Sequence, residues 1–207
     1  MKNNKIKYQI GIDEVGRGPI AGPVAVCALG IRPGFNNIEF CPLVRLRTKR
    51  LRDSKKLSHK QRLKWLEKIE SEKEKGNIIY QVCLESNKVI DKKGIVFAIN
   101  NCLKNCLKSL NIKPSDCQIL LDGGLRAPAE YKNQQTIIKG DEKELAIVLA
   151  SIVAKVTRDN LLIKLSRKYP GYGLEEHKGY GTRKHYEAIK KYGISALHRK
   201  TFLKKLI

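Results

Sequence analysis

Tyr8-Gln9-Ile10-Gly11-Ile12-Asp13-Glu14-Val15-Gly16-Arg17-Gly18-Pro19 is the stretch that decides the fold. Tyr8, Ile10 and Ile12 alternate with Gln9, Gly11 and Asp13, a period of two that predicts a strand over residues 7–13. The strand ends on two adjacent acids. Burying such a pair is costly unless something compensates the charge, and a divalent metal does so. The glycines let backbone amides approach a ligand, and Arg17 offers a fork for phosphate. A hairpin turn with two solvated acids is the plainer alternative. Gly16-Arg17-Gly18 also resembles the start of a dinucleotide-binding fingerprint, but that motif must open a helix. Here Pro19 and Pro23 flank Gly22, and the strand-like run Val24 to Leu29 follows.

Outward from this stretch, residues 23–30 read as the second strand of a hairpin with a long glycine-proline connection. Residues 45–64 carry ten Lys or Arg and one acid, Asp53. Ser58 with Gln61 fits a capping box before Leu63, Leu66 and Ile69, so a helix starts there, with Lys55 and Lys56 beside an end that favours phosphate. Ile78 to Leu84 reads as a strand and Ile95 to Leu110 as an amphipathic helix. Cys117 to Leu121 is an apolar run that stops on Asp122-Gly123, a second strand ending on a carboxylate. A polar loop over 123–135 and a short strand, Thr136 to Ile138, precede Gly140-Asp141.

Asp141 has two readings. With Glu144 it makes an N-cap for a long helix over 142–168; alternatively it joins the other acids. Ala150, Ser151 and Ala154 make that helix thin enough for close approach to a sheet or ligand, and Lys155 and Asp159 are spaced for an i, i+4 ion pair. Pro170 to Gly173 breaks the helix, a second glycine-rich loop carries Tyr180, and residues 182–192 read as a helix closed by Gly193.

The 207 residues suit one large domain, or one with a small appendage. A formal charge of +22, from 42 basic and 20 acidic residues, argues for a polyanionic partner, foremost nucleic acid. No run of 18 apolar residues is present and no apolar signal region follows the basic N-terminus, so the expectation is a cytoplasmic protein without membrane association. The six cysteines form no Cys-x-x-Cys pair, which argues against a zinc ribbon, and Cys102 and Cys106 read as reduced thiols.

Strands alternating with helices after an initial hairpin predict an α/β fold with a mixed sheet. Asp13 and Asp122 both fall at strand C-terminal ends, where such sheets bind ligands. Acids gathered in a basic protein are a contradiction: the positive excess attracts a polyanion that the acids repel. Mg²⁺ resolves it by bridging carboxylates and phosphate oxygens, and two such ions suit phosphodiester hydrolysis.

Asp13 to Pro19, Asp53-Ser54-Lys55-Lys56-Leu57-Ser58, Asp122-Gly123, Lys139-Gly140-Asp141, Ala150 to Asp159 and His177-Lys178-Gly179-Tyr180 together resemble the ribonuclease HII family, in family order from residue 7 to about Phe202. Gly124 departs from the Asn often found after Asp-Gly in the family, which leaves the acids untouched. The resemblance implies a ribonuclease H-like mixed sheet flanked by helices. It implies a catalytic domain over 1–168 and a C-terminal loop and helical region over 169–207 packed on the same domain. It implies Asp13, Glu14, Asp122 and Asp141 as the catalytic, metal-holding acids, with Mg²⁺ or Mn²⁺ as cofactor and Asp159 near them. It implies a monomer that acts on RNA/DNA hybrids and on duplex DNA containing single ribonucleotides, leaving 5′-phosphate and 3′-hydroxyl ends. Gly16, Arg17, Gly18, Lys55, Lys56 and Tyr180 are then substrate-binding. The Gly16–Gly18 backbone is suited to the 2′-hydroxyl that separates RNA from DNA, with Tyr180 at the same junction. A core tyrosine is the alternative for Tyr180. A related nuclease cutting DNA alone, and a non-catalytic basic binding module, are the competing functions.

Overall fold

A computed structural model describes residues 6–35, 44–45, 50–51 and 57–204. Its order is β1 (Tyr8–Val15), β2 (Val24–Ile31), β3 (Val44–Arg45), β4 (Arg50–Leu51), α1 (His59–Glu74), β5 (Ile78–Glu85), α2 (Asn87–Lys93), α3 (Ile95–Leu110), β6 (Cys117–Asp122), β7 (Gln134–Ile137), α4 (Leu145–Ser166), α5 (Leu174–His177) and α6 (Arg183–Tyr192). Five strands form one mixed sheet, β5-β2-β1-β6-β7. β2 runs antiparallel to β1 and β5, while β6 is parallel to β1 and β7. The expected hairpin is therefore the antiparallel half of the sheet.

Every residue of β2 is buried, because helices cover both faces of the sheet. Val24, Val26 and Ala28 join Ile10 and Ile12 against α3, whose Ile99, Cys102, Leu103, Cys106 and Leu107 form the expected apolar face. Cys27, Leu29 and Ile31 point the other way, toward α4 and α1. Cys102 and Cys106 are free, buried thiols. α4 lies directly on β1. A Cβ at Gly11 would overlap the backbone of Ala146, so glycine in β1 and small residues in α4 are two halves of one close contact. A third apolar cluster joins Ile20, Ala21 and Leu162 to Tyr172, Leu174, Ile189 and Leu197, and seats the C-terminal segments on the end of α4 and on the turn after β1.

The capping box at the start of α1 forms as expected, with Ser58 and Gln61 each bonding the other's backbone N–H. The cap reading of Asp141 does not hold. Gly140–Glu142 is a separate 3₁₀ turn, and α4 begins later, at Leu145, with the extended Glu144 preceding it. The last sheet strand is Gln134–Ile137 rather than 136–138, and Ile138 is 75% exposed beyond it. Two short helices, α2 and α5, are not signalled in the sequence. Each buries a single residue, Ile90 and Leu174, so neither carries an apolar period. Among the described residues, no helix is long and apolar enough to cross a membrane.

Candidate active site

The parallel pairing of β1 with β6 places the first two acids. Its register runs from Tyr8 beside Cys117 to Ile12 beside Leu121, so one step further Asp13 and Asp122 stand side by side. Ile12 and Leu121 face α3, which turns both aspartates to the α4 face. Asp122 Oδ1 accepts from the Gly140 amide at 2.7 Å, which draws the 3₁₀ turn and its Asp141 onto the same edge. Asp13 and Asp141 are 4% and 2% exposed. Burial pushes the Asp13 carboxyl up to about 8; a hydrogen bond from Ser151 on α4 opposes this, and the charges of Glu14, Asp122 and Asp141 add to it. Glu14 is also raised by burial, against the pull of Arg17, whose Nη1 lies 3.2 Å from Glu14 Oε1.

These acids are grouped rather than closed about one point: among the described residues no three His, Cys, Asp or Glu side chains form a ready cage. Their chemistry nevertheless fits a hard divalent cation. All donors are carboxylate oxygens, and a carboxyl held near 8 by burial and like charge is one whose proton a cation can replace.

In front of the acids is a cavity of about 410 Å³ lined by Asp13, Glu14, Val15, Gly16, Arg17, Gly18, Arg62, Ser151, Lys155 and Tyr180. The Gly16–Gly18 turn forms one wall. Gly16 has φ +95, and a Cβ there would strike the Arg158 side chain, so only glycine fits. Gly18 has open space around its Cα. Tyr180 is 43% exposed on the cavity, and the core alternative for it falls. Asp159 is not in the wall; it holds Lys155, which is, at 2.8 Å, so the expected i, i+4 pair forms. Asp122 and Asp141 also stand outside this wall and meet it through Asp13. Lys55 and Lys56 lie outside the described residues.

Two buried arginines that the sequence reading passed over hold the turn from behind. Arg158 donates to the carbonyls of Pro23 (2.8 Å), Lys178 (2.9 Å) and Ala21 (3.2 Å). Arg199 donates to those of Gly22 (2.9 Å), Arg17 (3.0 Å) and Gly16 (2.7 Å). Both are 0% exposed. With their carbonyls taken by Arg199, Gly16 and Arg17 have their conformation set before any ligand arrives. Nothing in the local pattern around Arg199 signals this, since it is one of eight basic residues between Arg183 and Lys205.

The family described as Ribonuclease HII matches residues 10–205. The ribonuclease HII of Clostridium beijerinckii is 43% identical over 201 residues, which are 97% of this chain and 69% of that protein. The one from Caldicellulosiruptor bescii is 41% identical over 209 residues, covering 99% of this chain and 91% of that protein. Among solved structures, ribonuclease H2 from Pyrococcus horikoshii superposes with a TM-score of 0.69 at 27% identity, over 96% of both chains, which makes the fold ribonuclease H-like. With nearly its whole length matched at such identities, the chain belongs to the ribonuclease HII family and is a metal-dependent ribonuclease H.

Proposed function

We propose that this protein is an endoribonuclease that cuts the RNA strand of RNA/DNA hybrids and cuts 5′ of single ribonucleotides embedded in duplex DNA. Asp13, Glu14, Asp122 and Asp141 are the metal-holding acids in this reading. Two Mg²⁺ or Mn²⁺ ions bound by them would supply an activated water and charge neutralisation at the leaving oxygen. The water oxygen bonds to phosphorus and the bond from phosphorus to the 3′ oxygen breaks, leaving 5′-phosphate and 3′-hydroxyl ends. The protein's own groups do the rest. Arg199 holds the Gly16–Arg17 backbone against the cavity, where the turn can meet a 2′-hydroxyl. Tyr180 lies on the same cavity and packs its ring on the sugar or base at the junction. Lys155, fixed by Asp159, places a positive charge where a phosphate would lie.

The observation that carries the proposal is the β1–β6 register, which brings Asp122 beside Asp13, itself a lining residue of the cavity that the glycine turn and Tyr180 share. We further propose that one copy suffices, with residues 1–168 as the catalytic body and residues 169–207 as the segment that sets the turn and Tyr180. The test is cleavage of a DNA duplex containing one ribonucleotide, with and without Mg²⁺ or Mn²⁺, beside an all-DNA duplex of the same sequence. Metal-dependent cutting 5′ of the ribonucleotide alone is expected. Equal cutting of the all-DNA duplex would favour a resolvase-like nuclease, and binding without cutting would favour a basic binding module.

A further inference from the structure

Behind Tyr180 lies a group of three imidazoles, two of them buried, that the acids and the cavity do not use. His198 Nδ1 accepts from the Ser195 amide at 3.0 Å and lies 2.8 Å from Ser195 Oγ, whose hydroxyl donates to it as well, so the neutral ring carries its proton on Nε2. That Nε2 is 3.1 Å from His185 Nε2, which must then be the acceptor. The His185 proton therefore sits on Nδ1, 2.9 Å from the Tyr180 carbonyl, and donates to it. His177 stacks on His185 with ring centroids 4.2 Å apart. Its Nδ1 accepts from the Gly179 amide, and its Nε2 donates to the Tyr172 carbonyl at 2.7 Å. Each ring has one donor and one acceptor role, and every role is filled. His185 and His198 are 0% and 2% exposed, and burial lowers both below the usual histidine range, in keeping with neutral rings.

The segment that supplies His198 also supplies Arg199, which holds the carbonyls of Gly16 and Arg17. It is itself tied down: Asn87 on α2 donates to the carbonyls of Ala196 and His198, and Asp91 accepts from the amides of Lys200 and Thr201. We propose that the Ser195–Arg199 segment is a positioning device for recognition of the ribonucleotide junction. In it, His198 acting through His185 sets the Tyr180 loop, and Arg199 sets the Gly16–Arg17 turn, so that the two are spaced by one rigid element. This rests on the function proposed above.

The chain of donors can be cut at either link. In His185→Asn the amide nitrogen falls where Nδ1 was and still donates to the Tyr180 carbonyl, while the His198 bond is lost. In His185→Gln the amide oxygen falls where Nε2 was and accepts from His198, while the Tyr180 bond is lost. Each variant interrupts the line from His198 to the Tyr180 carbonyl, so the positioning role predicts that both slow single-turnover cutting at an embedded ribonucleotide about tenfold relative to wild type. It also predicts that neither slows cutting further once Tyr180→Ala is present, whereas a merely structural role predicts the same fractional loss on either background. Wild-type rates in His185→Asn with Tyr180 present, or a slowing that survives Tyr180→Ala, overturn it. Nitrogen NMR of the imidazoles in the intact wild-type chain reads the tautomers without any variant or activity. Protons on His198 Nε2 and His185 Nδ1 are expected, and the opposite pair overturns the chain by itself. A wild type that leaves the substrate intact overturns instead the functional reading, and with it the role at the junction.

Discussion

Asp13 and Arg199 are both buried charges beside the Gly16–Gly18 turn, and the fold treats them in opposite ways. Arg199 is surrounded by carbonyls it was shaped to meet, with Nε, Nη1 and Nη2 each placed on one. Arg158 repeats the pattern on three others. Asp13 is surrounded instead by Glu14, Asp122 and Asp141, and burial among them raises its pKa to about 8. Burial disfavours both charges, and with Arg158 nearby it lowers the Arg199 guanidinium to about 9, but Arg199 has fixed carbonyl dipoles as partners where Asp13 has mostly other acids. The front of the site thus holds a carboxyl that keeps its proton for want of a partner, and the back holds guanidinium groups whose Nε, Nη1 and Nη2 each meet a carbonyl. The contrast separates the part of the molecule that awaits a ligand from the part that aims it.

If that contrast is right, loss of charge at the front should destroy activity and spare the fold. Asp13→Asn is expected to lower metal-dependent cutting by at least about 100-fold, since it removes a charged oxygen from a metal site. The melting temperature of the metal-free protein should hold or rise, because one member of a repelling group is gone. Near-normal turnover in Mg²⁺ would break the assignment of Asp13, and a collapse of stability would place it with the structural charges.

At the back the same kind of change should act on stability first. Arg199→Met leaves the carbonyls of Gly16, Arg17 and Gly22 without their donor. An unmet buried group costs about 1–3 kcal/mol, so a loss on the order of 3 kcal/mol and a fall of roughly 6–12 °C in Tm are expected. A thermal melt displaced by under about 2 °C would mean that water satisfies these carbonyls as well as the guanidinium does.

Tyr180 lies between the two regimes, exposed on the cavity yet fixed from behind through its carbonyl. Tyr180→Ala is expected to slow cutting at a single embedded ribonucleotide by roughly 10- to 100-fold, the worth of a stacked ring. The loss should be smaller on a continuous RNA strand, where the junction is not the only recognition point. Stability should change little, since the ring is largely outside the core. Equal losses on the two substrates would remove the junction-reading role.

The front was legible in the sequence and the back was not, for a physical reason. Acids at the ends of strands announce themselves, because Asp13 and Asp122 interrupt apolar runs where a carboxylate has no packing purpose. The hairpin, the helix over Ile95–Leu110 and the cap at Ser58 are local patterns and were readable as such. Arg158 and Arg199 are partnered by carbonyls that their own sequence neighbourhoods do not contain: the Arg199 bonds to Gly16 and Gly22 span 183 and 177 residues. Carbonyls are present at every residue, so no pattern marks which ones a buried arginine will meet. The Asp141 cap failed for the opposite reason. Its spacing to Glu144 is a good local signal, but the pull of Asp122 Oδ1 on the Gly140 amide fixes a 3₁₀ turn there and delays the helix.

The smallest effect, and the one that reports on the back alone, is the pH dependence of stability. Burial holds His185 at about 4, below the ordinary 6.5. Between those values the unfolded chain binds more protons than the folded one, so stability rises with pH. The contribution of the neutral ring is fully present above pH 6.5, is lost as pH falls toward 4, and changes no further below that. In the metal-free protein Asp13 acts with the opposite sign, because its raised pKa makes the folded state bind the extra proton as pH falls through about 8. A melt of the wild type alone therefore mixes the two. His185→Asn cannot titrate at that position but keeps Asp13, so the Tm gap between wild type and variant reports the His185 imidazole together with the His198 ring bonded to it. The gap is expected to narrow by roughly 2–4 °C between pH 7.5 and pH 5, the equivalent of about 1 kcal/mol at this chain length. A gap that stays constant would show that the ring is solvated enough to protonate without cost, and the histidine chain would then lose the neutrality its donor order requires.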